Sequence, residues 1–519
     1  MPIKAFSKIK FEIYLETDSM KFNKLLIISM LVMMICCVSA VSATDINATD
    51  DITVDEVSEV IEEVEIDDVS DDVVEEQNLA TTSNSITLTQ GNYEDYFDGD
   101  GYFNGSNVDE VIFSGNFTSD NFKVLGFDQA LTITGSDATF TNFGFELVDN
   151  AITLNGINFV INAPSGNDCI AINVASASNS VISNNVITYN CTSENDGYYN
   201  HVVRVVGGEN VTVSGNNITA YLPLKNVDFN KPYPSIYTDL VAGVAVQSSN
   251  NFRFTNNRLL VNASKYVEGY PTLDAFIIAG STGAYIGNNT IIEIDPVTQE
   301  GDNNYLYAID VYQCNNITID DNNIRLESKG GSIIPGTNNG TGTAYGIQLT
   351  GGHTGVTISN NDIYTSNNGP NAGIYSQNFM GRTELNITGN TIYVEGNAGL
   401  HEWSLVTGME LGDDYVYVAG NIITVKNKAD YAENANAYGI SYSQWTPRNH
   451  EQHIIGNTVT LINGDDAIYM MGSVYGSEAI NNCLESTNYC GNDAVNGGSN
   501  LIIQNNYCPN CDCTNCSCH

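Results

Sequence analysis

An alternating apolar run followed by Asn and then Ile, Val or Leu recurs down most of this chain. It reads VISNNVI at 181–187, VTVSGNNI at 211–218, FRFTNNRL at 252–259 and AYIGNNTI at 284–291. It continues as ITIDDNNI at 317–324, VTISNNDI at 356–363, LNITGNTI at 385–392, VYVAGNII at 416–423 and HIIGNTV at 453–459. A weaker copy, ITLNGINF (152–159), precedes the series and LIIQNNY (501–507) follows it. The anchoring residues are Asn155, Asn185, Asn216, Asn257, Asn289, Asn322, Asn361, Asn390, Asn421, Asn457 and Asn505, mostly about 30 to 40 positions apart. Self-similarity at that period means stacked supersecondary units, a solenoid.

The period inside each unit says which solenoid. Val-x-Ile alternation is a strand signal. A second run lies upstream of each anchor (AIDV at 308–311, GIQL at 346–349, GMEL at 408–411), and a third follows it, as in Ile392-Tyr393-Val394. Three short strands per unit with no helical stretch between them predict an all-β, right-handed, single-stranded parallel β-helix, each strand pairing with its equivalent one coil on, about 4.8 Å along the axis. Roughly a dozen coils between residues 108 and 507 would make a rod about 60 Å long. The Asn residues tolerate the left-handed backbone of a sharp corner, and their amides can bond to one another along the axis. Glycine just before the anchor (Gly215, Gly287, Gly389, Gly420, Gly456) fits the same need. The inward Ile, Val and Leu supply a core that needs no cofactor or metal to fold, and a single-chain solenoid of this kind is expected as a monomer.

The boundaries follow from composition. Lys21 and Lys24 precede an apolar run from Leu25 to Val38 and then Val41-Ser42-Ala43, the layout of a signal peptide over residues 1–43, with Met20 as an alternative start. The run is short for a membrane span, and no second apolar stretch is long enough to cross a bilayer. An exported chain at the cell surface or outside it is expected. Residues 44–80 form an acidic spacer: Asp45 to Glu76 holds fifteen Asp and Glu and no Lys or Arg, a block that repels itself and stays disordered. An N-terminal cap with the first coils (81–150), the helix proper (151–507) and a Cys-rich tail (508–519) complete the chain. From residue 77 onward there are 43 acidic against 13 basic side chains, a surface that repels nucleic acid and attracts divalent cations such as calcium.

Ten cysteines follow the leader, five of them in the tail: Cys508, Cys511, Cys513, Cys516 and Cys518, before His519. They suit a disulfide-stapled end-cap or a thiolate metal site, and the C-x-C spacing keeps both readings open. Sequons such as those at Asn116, Asn217 and Asn386 would permit glycosylation of an exported chain.

The coils resemble the parallel β-helix superfamily that includes pectate lyases, polygalacturonases and phage tailspikes. The full combination is similar to the archaeal adhesin-like surface proteins: a signal peptide, an acidic Asp/Glu/Val stretch, a block like VIFSGNF (111–117) with LTITGSDATF (131–140), then SNN-x-I coils. That resemblance covers nearly the whole chain from Lys21 and implies a surface protein whose loops contact glycans or cell-surface polymers without catalysis. Two fragments, GNDCIAIN (166–173) and NGDDAIYM (463–470), resemble the carboxylate motif of polygalacturonases and make Asp168, Asp465 and Asp466 candidate catalytic acids. Inverting hydrolysis needs carboxylates converging on one face with room for water. Here Asn167 stands where a partner acid is expected, and no Gly-His-Gly or Arg-x-Lys follows on later coils. A hydrolase or lyase is therefore the alternative to the binder, and a structural envelope component is a third reading. Asp413 and Asp414 precede the strand at 416–418, and the equivalent corner of the next coil is expanded into QWTPRNHEQH (444–453). Stacking would gather Asp413, Asp414, Trp445, Arg448, His450 and Glu451 at one edge, an aromatic plate with polar groups suited to a sugar.

Overall fold

The computed structural model describes residues 84–162, 169–191, 200–226, 241–269, 271–333, 340–377, 383–398, 405–428, 436–442, 451–464, 466–470, 476–498 and 500–508. The leader and acidic spacer read from the sequence lie outside them. Among the described residues thirty-eight strands join in one connected system of pairings that is parallel throughout except between Lys225–Asn226 and Pro271–Thr272. This is a parallel β-helix with three sheets running along its axis. Sheet A holds the strands before each Asn corner, such as Tyr415–Ala419, and sheet B those after it, such as Ile422–Asn427. Sheet C holds the strands that lead back into sheet A, such as Val406–Gly412.

Among the described residues fifteen successive strand segments build sheet A, from Ser85–Leu88 to Ile502–Gln504. That is more than the dozen coils expected and makes the stack roughly 67 Å long. The difference arises at the ends. The first strand starts well before residue 108, and EAINNCL (478–484), with Leu484 in the inward place after Asn482, forms a further coil.

Register is carried by inward rows of like residues. In sheet A, Val213, Phe254, Ile286, Ile319, Ile358, Ile387 and Val418 follow one another coil by coil. In sheet B, Ile218, Leu259, Ile291, Ile324, Ile363, Ile392 and Ile423 do the same. All are essentially inaccessible to solvent. A one-residue slip would turn each row to the outside, so the pairing is tightly specified. The N-terminal end is closed by rings instead: Phe117 stacks on Phe140 at 4.3 Å, and Tyr93, Phe113 and Phe145 pack around them.

The Asn corners form a continuous buried ladder, but one residue out of phase with part of the sequence reading. Its members are Asn185, Asn216, Asn257, Asn289, Asn322, Asn361, Asn390, Asn421, Asn457, Asn482 and Asn506. Each but the last, Asn506, which donates to Asn492, gives its backbone N–H and its Nδ2 to the Oδ1 of the Asn one coil on: for Asn322 to Asn361 these bonds are 3.0 and 2.9 Å. Nδ2 also donates to a sheet A carbonyl of the preceding coil, 2.9 Å from Asn322 to Ile286. The left-handed backbone falls on the residue before the ladder Asn: Asn184, Asn256, Asp321 and Asn360 have φ of 53–58°, and Gly389, Gly420 and Gly456 take the same place. Asn505 is one of these left-handed residues, at φ 56°, and Asn506 carries the ladder. Asn155 is not a member either, because Ile157 occupies the ladder position and donates its N–H to Asn185. Gly287 is a strand residue under the Tyr285 ring, and the corner belongs to Asn288.

Sheet C is shaped by small residues. A Cβ on Gly408 would lie 2.3 Å from Ile423 Cγ2 and 2.6 Å from the Gly439 carbonyl. Gly373 is equally confined by Ile392 and Gly408. These positions let sheet C approach sheet B closely.

Replacing Asn322 by Ala removes the acceptor of two buried bonds and the donor of two more. A loss of about 2–4 kcal/mol in chemical denaturation is expected, against less than about 1 kcal/mol if the ladder were incidental.

Candidate functional site

Sheet A leaves its outer face open toward the C-terminal half of the stack. Alternation points every second side chain of these strands outward, and parallel pairing aligns them across coils. Glu384, Tyr415 and Glu451 make one row, and Asn386, Tyr417, His453 and Glu478 the next. Between the rows lies a shallow groove of about 180 Å³, lined by Glu384, Asn386, Tyr415, Tyr417, Glu451 and His453. Tyr417 is 41 % exposed. The His453 ring is clamped at both nitrogens, Nδ1 2.9 Å from Glu478 and Nε2 3.1 Å from Glu451, so it has one fixed plane. An exposed phenol ring, an amide and fixed carboxylates offer an apolar plate and hydrogen-bonding groups to a polyhydroxylated ligand.

The edge expected from the sequence is only partly assembled here. The Glu451 N–H donates to the Asp414 carbonyl at 2.8 Å, so the two corners do stack. Asp413 is turned inward and fully buried. Its Oδ1 is 2.9 Å from His353 Nε2, its Oδ2 accepts a hydrogen bond from Ser376, and its carbonyl accepts from Gln452 Nε2 at 2.9 Å. Burial pushes its carboxyl up, but the His353 imidazole and the bonds from His353 and Ser376 bring it below the ordinary carboxylate value. Its side chain is a structural tie between coils, and the surface position falls to Tyr415. Trp445, Arg448 and His450 lie outside the described residues, as do Asp168 and Asp465. Asp466 is partly exposed and accepts a bond from Asn496 Nδ2 at 3.0 Å.

A second constellation, on sheet C, was not read from the sequence. Asp274 pairs in register with Tyr307, and Ile277 with Asp310, so the two carboxyls lie on adjacent coils of the same sheet, three positions apart. Both are buried, and neither oxygen of Asp274 nor Oδ1 of Asp310 has a hydrogen-bond partner among the described residues. Beside them the Tyr307, Tyr345 and Tyr375 rings form a column, with centroids 5.8 and 4.5 Å apart. Burial raises Asp274 well above its ordinary value, with the Asp310 and Glu293 charges adding to it. Burial pushes Asp310 up to about 7. Glu293 lies in the sheet B row between Val261 and Leu326, inside the core, and is raised by burial and then by Asp295. Asp295 itself is well partnered, accepting from the Val297 and Thr298 N–H groups at 3.1 Å and from Ser328 at 3.0 Å. An acid inside the apolar runs TLDAFIIA and YAIDVY was the available signal.

Of the tail, Cys508 carries a free thiol, as does Cys483, whose thiol burial pushes up. Cys490 is disulfide-bonded. Cys511, Cys513, Cys516 and Cys518 lie outside the described residues. Among the described residues no group of three or more His, Cys, Asp or Glu is placed to hold a metal ion. Nor does any described helix have the length and apolarity to cross a membrane.

No protein-family profile and no curated protein matches the chain. Solved structures similar to it are parallel β-helix proteins. The surface adhesin PfbA of Streptococcus pneumoniae shares 12 % identity with a TM-score of 0.43, over 81 % of this chain and 99 % of that one. The Dettilon tailspike protein shares 14 % with a TM-score of 0.38, over 76 % of this chain. The catalytic domain of a GH87 α-1,3-glucanase shares 12 % with a TM-score of 0.34, over 72 % of this chain. The match spans 62 % of the tailspike chain and 65 % of the glucanase chain.

The buried acids set a pH dependence. Asp274, Glu293 and Asp310 hold their protons in the folded chain at a pH where the unfolded chain has released them. Their contribution is therefore fully present below about pH 4 and is lost as the pH rises, toward about 7 for Asp310. Asp413 works the other way, contributing above the unfolded carboxylate value and losing that contribution as the pH falls. Stability should decline between about pH 4 and pH 7, and Asp310→Asn should flatten that decline and stabilise the chain at pH 8 by on the order of 2 kcal/mol. Parallel stability curves for the two proteins would contradict this.

Proposed function

We propose that this chain is an exported, surface-displayed β-helix that binds a glycan or other cell-surface polymer without transforming it, through the outer face of sheet A. The observation that carries the reading is the open groove between Glu384, Tyr415, Glu451 and the Asn386, Tyr417, His453 row. A ladder of outward side chains repeating about every 4.8 Å suits an extended chain of repeating units better than a single small molecule. Tyr417 offers the ring face, and Asn386 and the carboxylates the hydrogen-bonding groups. With three carboxylates and one clamped imidazole around it, the groove disfavours uronate-rich or sulfated polymers and favours neutral or amino-sugar chains. The signal-peptide-like run from Lys21 to Ala43 supports export.

A hydrolase on the same fold is the second reading, favoured by the incompletely bonded Asp274 and Asp310 carboxyls on adjacent coils. One experiment separates the two. The full chain is incubated with a panel of neutral, amino-sugar and acidic polysaccharides, with calcium and with chelator, and both retention and reducing-end release are measured. Retention of a non-acidic polymer without release is expected, weakened at least about tenfold by Tyr417→Ala and unaffected by Asp310→Asn. Release abolished by Asp310→Asn would replace the binder by an enzyme. Retention of acidic polymers alone would overturn the assignment of the groove.

A further inference from the structure

A second cavity lies on another face and near the other end of the stack, roughly 40 Å along the axis from the groove. It occupies about 280 Å³ over sheet C and is lined by Asp100, Tyr102, Val124, Glu146 and Asn173, with Phe122 and Phe145 beside them. Its floor is a register row, Gly126, Glu146 and Asn173 on three successive coils. Its wall is the Asp98–Phe103 turn, folded back so that Gly126 N–H donates to the Gly101 carbonyl and Phe103 N–H to the Gly126 carbonyl, both at 2.9 Å. Gly126 is required there. A Cβ on it would stand 2.5 Å from the Tyr102 ring, so only glycine lets the ring close the wall.

The polar groups converge with one sense. Tyr102 donates its hydroxyl to Glu146 Oε2 at 3.0 Å, and Asn173 donates Nδ2 to Glu146 Oε1 at 2.9 Å. The Tyr102 and Asn173 bonds fix the Glu146 carboxylate in place, and the Tyr102 hydroxyl is held protonated first by its bond to Glu146 and then by burial. With its amide nitrogen so committed, Asn173 leaves Oδ1 buried and without a donor among the described residues. Asp100 adds a second carboxylate at the rim, and among the described residues no Lys or Arg lines the cavity, Arg204 lying one coil beyond Asn173. Carboxylate and amide oxygens predominate, with Asn173 Oδ1 left unpaired, beside an apolar rim at Phe122 and the half-exposed Val124. A buried acceptor without a partner carries a standing cost that a donor from a ligand removes.

We propose that this cavity binds a single sugar-sized, hydroxylated ring bearing a primary ammonium, an amino sugar, with the ammonium shared between Glu146 and Asn173 Oδ1 and the ring against Phe122 and Val124. The volume accommodates one such ring, and the lining repels a carboxylate-bearing one. This site stands on its own residues and does not depend on the sheet A groove.

The test is calorimetric titration of the full chain with glucosamine, glucose and glucuronic acid. Glucosamine is expected to bind at least about tenfold more tightly than glucose, the worth of one charge-assisted hydrogen bond, and glucuronic acid not to bind. Glu146→Gln should abolish the preference for the amine. Because Glu146 also tethers Tyr102, a second variant, Val124→Trp, fills the cavity from its exposed rim and should abolish binding without changing the melting temperature. Equal affinity for glucosamine and glucose, unchanged glucosamine binding in Val124→Trp, or no heat from glucosamine at about 10 mM would each overturn the proposal.

Discussion

Everything in this molecule hangs on the buried amide ladder at the corner between sheets A and B. A parallel β-helix must turn the same corner on every coil, and each turn leaves backbone groups facing the interior with no strand to pair them. The ladder Asn answers several of these at once: its Oδ1 takes an N–H and an Nδ2–H from the coil before, and its Nδ2 reaches a carbonyl of that same coil and the Oδ1 of the coil after. Because each amide orients the next, the chain of bonds is cooperative along the axis, and a single member cannot be removed in isolation. The left-handed residue just before it, Asn or Gly, makes the corner sharp enough for the amide to point inward.

A fixed corner fixes the phase of every strand that follows, and this is what places the candidate sites. With inward rows set by Ile319, Ile358 and Ile387, the alternate positions of sheet A must face out, so Asn386, Tyr417 and His453 align without any further instruction. Sheet C behaves differently. Its glycines at Gly373 and Gly408 leave no room for a side chain, and Asp274 and Asp310 on this sheet are buried. One scaffold thus yields an open face that can meet a polymer and a closed face whose acids respond to pH.

Much of this was legible from residue order alone. The repeat, the three-strand coil and the stacked amides all follow from apolar alternation and the recurring Asn. Which Asn of a pair turns inward was harder to read, since in IIQNNY (502–507) either fits the local pattern. Only the pairing register shows that Asn506 is buried while Asn505 takes the left-handed turn. The coil at 478–485 was harder to see because Ala479 stands in the inward sheet A row where larger apolar residues recur on the neighbouring coils. In the groove, the convergence of the Asp414 and Glu451 corners could be inferred from stacking, whereas the inward turn of Asp413 depends on His353 two coils away, a contact no local pattern encodes. Tyr415, Tyr417 and His453 looked like ordinary strand residues because period-2 alternation gives their phase but not their neighbours.

The central claim, that a polymer lies along the outer face of sheet A, is tested most directly by hydroxyl-radical footprinting with and without a retained polysaccharide. Tyr417 should become protected on binding, along with Tyr415 and His453, while Tyr221 and Tyr507, comparably exposed at 42 % and 55 %, keep their reactivity. Unchanged labelling of Tyr417 with protection of other tyrosines would place the ligand elsewhere and contradict the account.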